Sequence, residues 1–278
     1  EHYRAIYDVL DLTTGAVAPF AASDTLLTGK LGLVFKPART GSFYVSWGVA
    51  AQPPGTSNLS NDNGSRNNGT PGTTGQNSPN ARPQKSYNTE LGTKWELFNR
   101  RLTASFALFR SERTNISVAT DTNGVPTLYA AQTVQGFEAG LSGRVTANWI
   151  LFGGFSWLDS ENRNDANAVQ NGSELNWTPE FSGNLWTTYR LPFGLTLGGG
   201  TQYTGSSRVS LNNTNKARLP AHWIVNAVLA YEITPTFSVR LNVTNLADEH
   251  YARAVNNNSN RVYFGDPRSF LFSADLRF

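Results

Sequence analysis

The sequence predicts an all-β protein, an antiparallel transmembrane β-barrel, and three observations carry that expectation. Apolar and polar residues alternate with a period of two through most of the 278 residues, and no stripe has helical spacing. The alternating segments average ten residues or more, whereas strands of water-soluble sheets average about 5–6. The links between them switch strictly between short and long.

Composition narrows the alternatives. Charged residues make up 15% and aromatics 12%, with no Cys and no Met. Missing Cys removes disulfide frameworks, zinc ribbons and thiol nucleophiles together. Translation begins with Met and residue 1 is Glu, so the chain is expected to be a piece of a longer protein, with no signal peptide to read. The net charge of +3 comes from basic residues standing singly or in pairs such as Arg100-Arg101. No basic stripe could neutralise a run of phosphates, so nucleic acid is not an expected partner. The longest nearly apolar run, WILFGGFSWL at 149–158, is about half of the ~20 residues a membrane helix needs.

Eleven strands are expected, at 26–36, 42–52, 86–98, 101–112, 131–146, 149–159, 176–190, 195–204, 220–232, 236–245 and 266–278. The short links are PARTG at 37–41, NR at 99–100, AN at 147–148, LPFG at 191–194 and ITP at 233–235. The long ones are 53–85, 113–130, 160–175, 205–219 and 246–265, and the Gly, Asn, Pro and Ser content of the first predicts a mobile loop. Outer-membrane barrels have tight periplasmic turns and long external loops. The final strand then runs inward, and Phe278 sits at the periplasmic rim.

Aromatic spacing is an independent check. Tyr87 and Trp95, Trp149 and Trp157, Trp223 and Tyr231, and Phe270 and Phe278 are each eight residues apart on the expected outer face. Eight residues at about 3.3 Å, tilted by about 40°, rise roughly 20 Å, close to the height of the apolar band between aromatic girdles. Between the rings, Leu102, Ala104, Phe106, Leu108, Leu195 and Leu197 face lipid, and alternates such as Thr103, Ser105, Thr196 and Gln202 make a polar interior. The competing reading, a soluble sandwich or carbohydrate-binding β-protein, does not account for the strand lengths or the loop alternation.

These residues resemble a known family, the TonB-dependent outer-membrane receptors, and within it the ferric-siderophore receptors. KSYNTELGTKWELFNRRLTASFALFRSERTN at 85–115 is similar to the family's strand–turn–strand segment with its E-x-G-x-K strand. VQGFEAGLSGRVTANWILFGGFSWLDSE at 134–161 resembles the next hairpin, LNVTNLADEHY at 241–251 the N-L-x-D-x-x-Y segment, and Phe278 the family's last residue. The resemblance implies a barrel of roughly 22 strands around a plugged lumen. Residues 1–278 would then be the C-terminal half, with the N-terminal plug domain and the first barrel strands outside this chain.

The same resemblance implies function. A ferric siderophore of catecholate type binds at the outer mouth, and the TonB complex, acting through the N-terminal region, supplies the energy. Outer-membrane lipid, lipopolysaccharide and the barrel-assembly machinery are the other expected partners, and Phe278 is the expected assembly signal. An anionic, aromatic ligand suits arginines and rings in the outer loops, so the candidates are Tyr129, Trp177, Arg208, Arg261 and Tyr263. Trp177 could equally be an interface ring, and the arginines could contact lipopolysaccharide.

No enzyme is expected. None of the three histidines pairs at metal-ligand spacing, so no metal or cofactor is expected, and no nucleophile–base–orienter set is recognisable. His222 alternates with Trp223 and should face the lumen in a solvated or hydrogen-bonded role. DTNG at 121–124 reads as a hairpin turn, and Asn245 and Asp248 as closing a turn in preference to touching ligand. The alternative from another class is a passive pore or adhesin barrel without a plug.

Overall fold

The computed structural model describes residues 2–10, 17–53, 82–120, 126–164, 168–210, 214–255 and 261–278. Two strands open the chain, β1 (His2–Leu10) and β2 (Val17–Thr25), paired with each other as a separate antiparallel ribbon that the alternation did not single out. The next eight, β3 (Gly29–Ala38), β4 (Gly41–Gln52), β5 (Gln84–Leu97), β6 (Leu102–Thr120), β7 (Pro126–Arg144), β8 (Trp149–Arg163), β9 (Phe181–Arg190) and β10 (Leu195–Thr204), pair in sequence order. The sheet continues through β13 (His222–Thr234), β14 (Phe237–Thr244) and β17 (Ser269–Leu276), giving eleven antiparallel strands. Two small ribbons sit in the long loops, β11 (Ser207–Arg208) with β12 (Arg218–Leu219), and β15 (Ala252–Val255) with β16 (Val262–Phe264).

The eleven large strands are those expected from the alternation, but several boundaries differ. The segment 113–130 is not a long loop. β6 and β7 run through it as a hairpin of two 19-residue strands, with bulges near Arg113 and Ser117. At about 3.3 Å per residue and about 40° of tilt, 19 residues rise well beyond a band of about 25 Å, so this hairpin stands outside the membrane. β8 likewise continues to Arg163. β9 starts at Phe181 and not at 176, because Trp177 is left-handed, with φ of 53°, and Pro179 follows it. β17 ends at Leu276, leaving Phe278 beyond the strand and fully exposed. The loop 53–85 is described only at 53 and 82–85, and DTNG at 121–124 lies outside the described residues.

Register puts the lipid-facing residues side by side. One row runs Leu91, Leu108, Phe137, Trp157 and Phe181 across β5 to β9. The row beside it carries Phe106, Phe155, Tyr203 and Trp223. Phe137 meets Phe106, Phe155 and Trp157 with centroids 5.8 Å apart, and Tyr203 lies 4.7 Å from Trp223. Such ring pairs contribute about 0.5–1.5 kcal/mol each beyond burial. Nearer the short turns, Trp95 packs edge-on against Phe43 at 5.9 Å and donates its indole N–H to Thr93 Oγ1. Trp149 donates to Thr187 Oγ1. Rings with an apolar body and a satisfied polar tip belong at a membrane interface.

The opposite face is polar. One row crosses it from Tyr44 through Gly92, Ala107, Glu138, Ser156, Ser182 and Thr204 to His222. Ser156 and Ser182 share a hydrogen bond at 2.7 Å, and Tyr44 donates its hydroxyl to Glu90. This row leads up the interior to the loops above β9, β10 and β13.

Candidate functional site

Three outer loops come together above that end of the interior, the first two tied to each other and the third stacked on His222 through Tyr251. The loop after β8 folds back on its own strand. The Asn162 amide donates to the Ser173 carbonyl at 2.8 Å, and the Gly172 amide returns to the Asn162 carbonyl at 2.9 Å. The Asn164 amide donates to Asn171 Oδ1, and Ser173 Oγ to the Gln170 carbonyl. Asn162, Asn164 and Ser173 are buried by this fold. Short polar side chains replace strand partners where the ladder ends, which is why an Asn- and Ser-rich stretch holds a defined shape.

The folded loop then reaches the next one. Arg218 grips both oxygens of Glu174 at 3.1 and 2.9 Å and also donates to Ser206. The Trp177 amide donates to the Arg208 carbonyl at 2.9 Å. The third loop is fastened at its base by Asn245, which is 1% exposed and left-handed, with φ of 51°. Its Nδ2 donates to the Glu249 and Asp266 carbonyls, its Oδ1 accepts from the Glu249 amide, and its own amide donates to Asn226 Oδ1. Asp248 accepts from the Arg268 amide at 3.1 Å and pairs with that guanidinium at 3.5 Å. The turn role expected of Asn245 and Asp248 is therefore what the structure shows.

Where the three loops meet there is a cavity of about 320 Å³ whose lining includes Trp177, Thr204, Ser207, His222 and Arg253. Arg253 is the charged residue of that lining. His222 stacks on Tyr251 with centroids 4.3 Å apart and planes 24° from parallel, and its Nδ1 has no hydrogen-bond partner among the described residues. His222 is thus half-buried, one ring face against Tyr251 and Nδ1 shielded, while the residue lines the cavity. Gly265 makes this possible, since a Cβ there would lie 1.8 Å from the Tyr251 ring. The cavity joins aromatic faces, hydroxyls and a guanidinium, a set that suits an anionic aryl group. Among the described residues no group of three or more His, Cys, Asp or Glu could hold a metal.

The five candidates named from the sequence are not all brought together. Trp177 and Arg208 are neighbours through their backbones, and Trp177 lines the cavity. Tyr263 lies on β16, opposite Ala254 of the strand that carries Arg253, and Arg261 precedes it. Tyr129 belongs elsewhere. It sits on β7, where Arg82 stacks over its ring at 5.0 Å and donates a backbone N–H to its hydroxyl. Sequence reasoning missed Arg253, Tyr251 and the Glu174–Arg218 tie. The available signal was Tyr251 closing N-L-x-D-x-x-Y, with Arg253 two residues further on.

Comparison with known proteins agrees with this architecture. The family model described as TonB dependent receptor-like, beta-barrel matches residues 1–246. The catecholate siderophore receptor Fiu of Escherichia coli (strain K12) is 30% identical over 262 residues, covering 93% of this chain and 33% of that protein. The crystal structure of the closed form of the ferric-catecholate import receptor Fiu from E. coli K12 superposes with a TM-score of 0.81 at 27% identity, covering 100% of this chain and 41% of that one. The siderophore receptor PiuA from Acinetobacter baumannii gives 0.82 at 25% identity, covering 98% and 39%. The chain thus spans about a third of the length of the curated relatives it matches.

Proposed function

The chain belongs to the TonB dependent receptor-like β-barrel family, and on that footing we propose that the full-length protein is an outer-membrane receptor for ferric siderophores, driven through TonB. The observation that carries this reading is the cavity where three outer loops meet, with Trp177, the His222–Tyr251 stack and Arg253 around it. A catecholate chelate presents flat rings and negative charge, which these groups complement without covalent chemistry. The relatives' names favour the same ligand class. Trp177, Arg208, Arg261 and Tyr263 are proposed as ligand-side residues together with Arg253; Tyr129, with Arg82 over its ring, stands apart from this group. Neither the matched family nor the named relatives supports the passive pore or adhesin barrel.

The test is equilibrium binding of a panel of ferric chelates to the full-length receptor in detergent, with iron uptake measured in cells with and without TonB. Ferric catecholates should bind in preference to ferric hydroxamates, and uptake should require TonB. Arg253→Ala and Trp177→Ala should each weaken binding about tenfold, the equivalent of about 1.4 kcal/mol. Unchanged affinity in both variants would place the ligand elsewhere.

A further inference from the structure

The tight turns at the periplasmic end differ in charge. Those at 145–148, 191–194 and 233–236 read VTAN, LPFG and ITPT and contain no charged residue. Beside the last two, Arg190 and Glu232 neutralise each other at 2.5 Å. The first two turns are basic. Lys36 and Arg39 flank the β3–β4 turn, Arg100 and Arg101 belong to the β5–β6 turn, and all four are exposed. The two turns adjoin, because the Glu96 amide donates to the Thr40 carbonyl at 2.7 Å. The Arg144 amide donates to the Arg101 carbonyl at 2.7 Å, which adds a fifth cation to this arc. The carboxylate among them is Glu96, 3.2 Å from Arg100. Lys36, Arg39 and Arg144 have no ion-pair partner among the described residues.

The height of this patch is set by the rings above it. Phe35 pairs with Phe43, Phe43 packs on Trp95, and all three belong to the periplasmic interface row. Arg39 lies in the turn below these rings, further from the apolar band, where lipid headgroups begin, and Lys36 stands at the same rim on the interior side of β3, next to Phe35. In the β5–β6 turn, Phe98, Asn99 and Arg100 have φ of 51°, 57° and 65°, three successive left-handed residues without a glycine. That backbone leaves the Phe98 ring 53% exposed beside the arginines. Exposed rings next to cations on long aliphatic stems fit a lipid boundary, with stems in the apolar layer and charges among phosphates. An acidic protein would complement the cations but not the rings.

We propose that this arc, from β3 to β7, is a docking site for anionic phospholipid headgroups of the periplasmic leaflet. The guanidinium groups bind the lipid phosphodiester through charge-assisted hydrogen bonds. The turns from β9 to β14 carry no net charge of their own, with Arg277 beside the last of them, so the cations of the described wall concentrate between β3 and β7. The inference rests on the membrane-spanning wall and not on the ligand carried above it.

The test uses full-length receptor in nanodiscs of equal parts phosphatidylethanolamine and phosphatidylglycerol, with retained lipids identified by native mass spectrometry after partial delipidation. Wild-type receptor should retain phosphatidylglycerol several-fold over phosphatidylethanolamine, and the preference should shrink as salt rises. A variant carrying Lys36→Gln, Arg39→Gln, Arg100→Gln and Arg101→Gln should bring the ratio close to one while chelate binding stays intact. Should that variant fail to fold, Arg39→Gln with Arg101→Gln keeps the Glu96–Arg100 pair and should lose about half of the preference on a logarithmic scale. Equal retention by the wild-type receptor overturns the proposal, as does a preference that survives the substitutions. Lost uptake with lipid preference intact also overturns it and assigns the patch to an acidic periplasmic protein.

Discussion

Gly92 shows how much one absent side chain decides. A Cβ there would lie 2.4 Å from Tyr44 Cζ, so glycine leaves the Tyr44 ring room to cross its neighbouring strand and meet Glu90. Asn245 acts in the opposite way, through what its side chain adds. Buried amide groups left without partners cost about 1–3 kcal/mol. Asn245→Ala should therefore speed hydrogen exchange across 246–268 and weaken chelate binding, while exchange in β5 to β10 stays as it was. Uniform acceleration through the sheet would show that Asn245 supports the barrel itself. Phe278 is a third case. It is fully exposed and packs on no described residue, so its stabilising role is limited to lipid contact of about 1–2 kcal/mol. As an assembly signal it should matter more. Phe278→Ala in the full-length receptor should lower the ratio of surface to total receptor out of proportion to that energy. An unchanged ratio with slightly lower thermal stability would leave it as an interface ring.

At the scale of elements, the outer loops owe their order to ties between them. The Glu174–Arg218 pair is exposed, and exposed pairs contribute little to global stability, at most about 1 kcal/mol. Its Arg218 Nη1 nevertheless reaches both carboxylate oxygens while Nε and Nη2 hold Ser206, and it joins the loop carrying Trp177 to the loop carrying Arg208. Glu174→Arg should leave thermal unfolding almost unchanged and weaken chelate binding several-fold. Adding Arg218→Glu should restore part of the affinity, because the pair is re-formed with its charges exchanged. Failure of the double change to recover anything would mean that the loops are positioned by their backbone contacts alone.

The whole sheet has two outer strands, β3 and β17, each with one neighbour among the described residues. Lipid cannot satisfy the hydrogen-bonding groups of an open edge, so the wall can enter a membrane only with both edges paired. Full-length receptor should show heat-modifiable migration in gels and partition with detergent. Residues 1–278 expressed alone should lack the heat-modifiable band. A folded, detergent-free monomer of the full-length protein would defeat the membrane reading.

The alternation of apolar and polar residues determined the eleven strands, their order and the two faces, because a period of two allows one arrangement once one side must meet lipid. The eight-residue aromatic spacing determined the height of the band for the same reason. Tertiary structure decided what lies outside the lipid, where alternation no longer marks a boundary. β6 and β7 remain paired from Arg113–Gln132 to Thr120–Pro126 because the ladder can continue in water, and a left-handed Asn115 is absorbed as a bulge in place of ending it. The site depended on tertiary contact still more. Trp177, His222 and Arg253 are separated in sequence and meet because Asn162 and Asn245 shape their own loops by hydrogen bonds, Arg218 ties the first loop to the second, and Tyr251 stacks on His222. Such bonds leave no periodic trace, so residue type could nominate Trp177 and Arg208 but could not place Arg253 beside one of them or set Tyr129 apart.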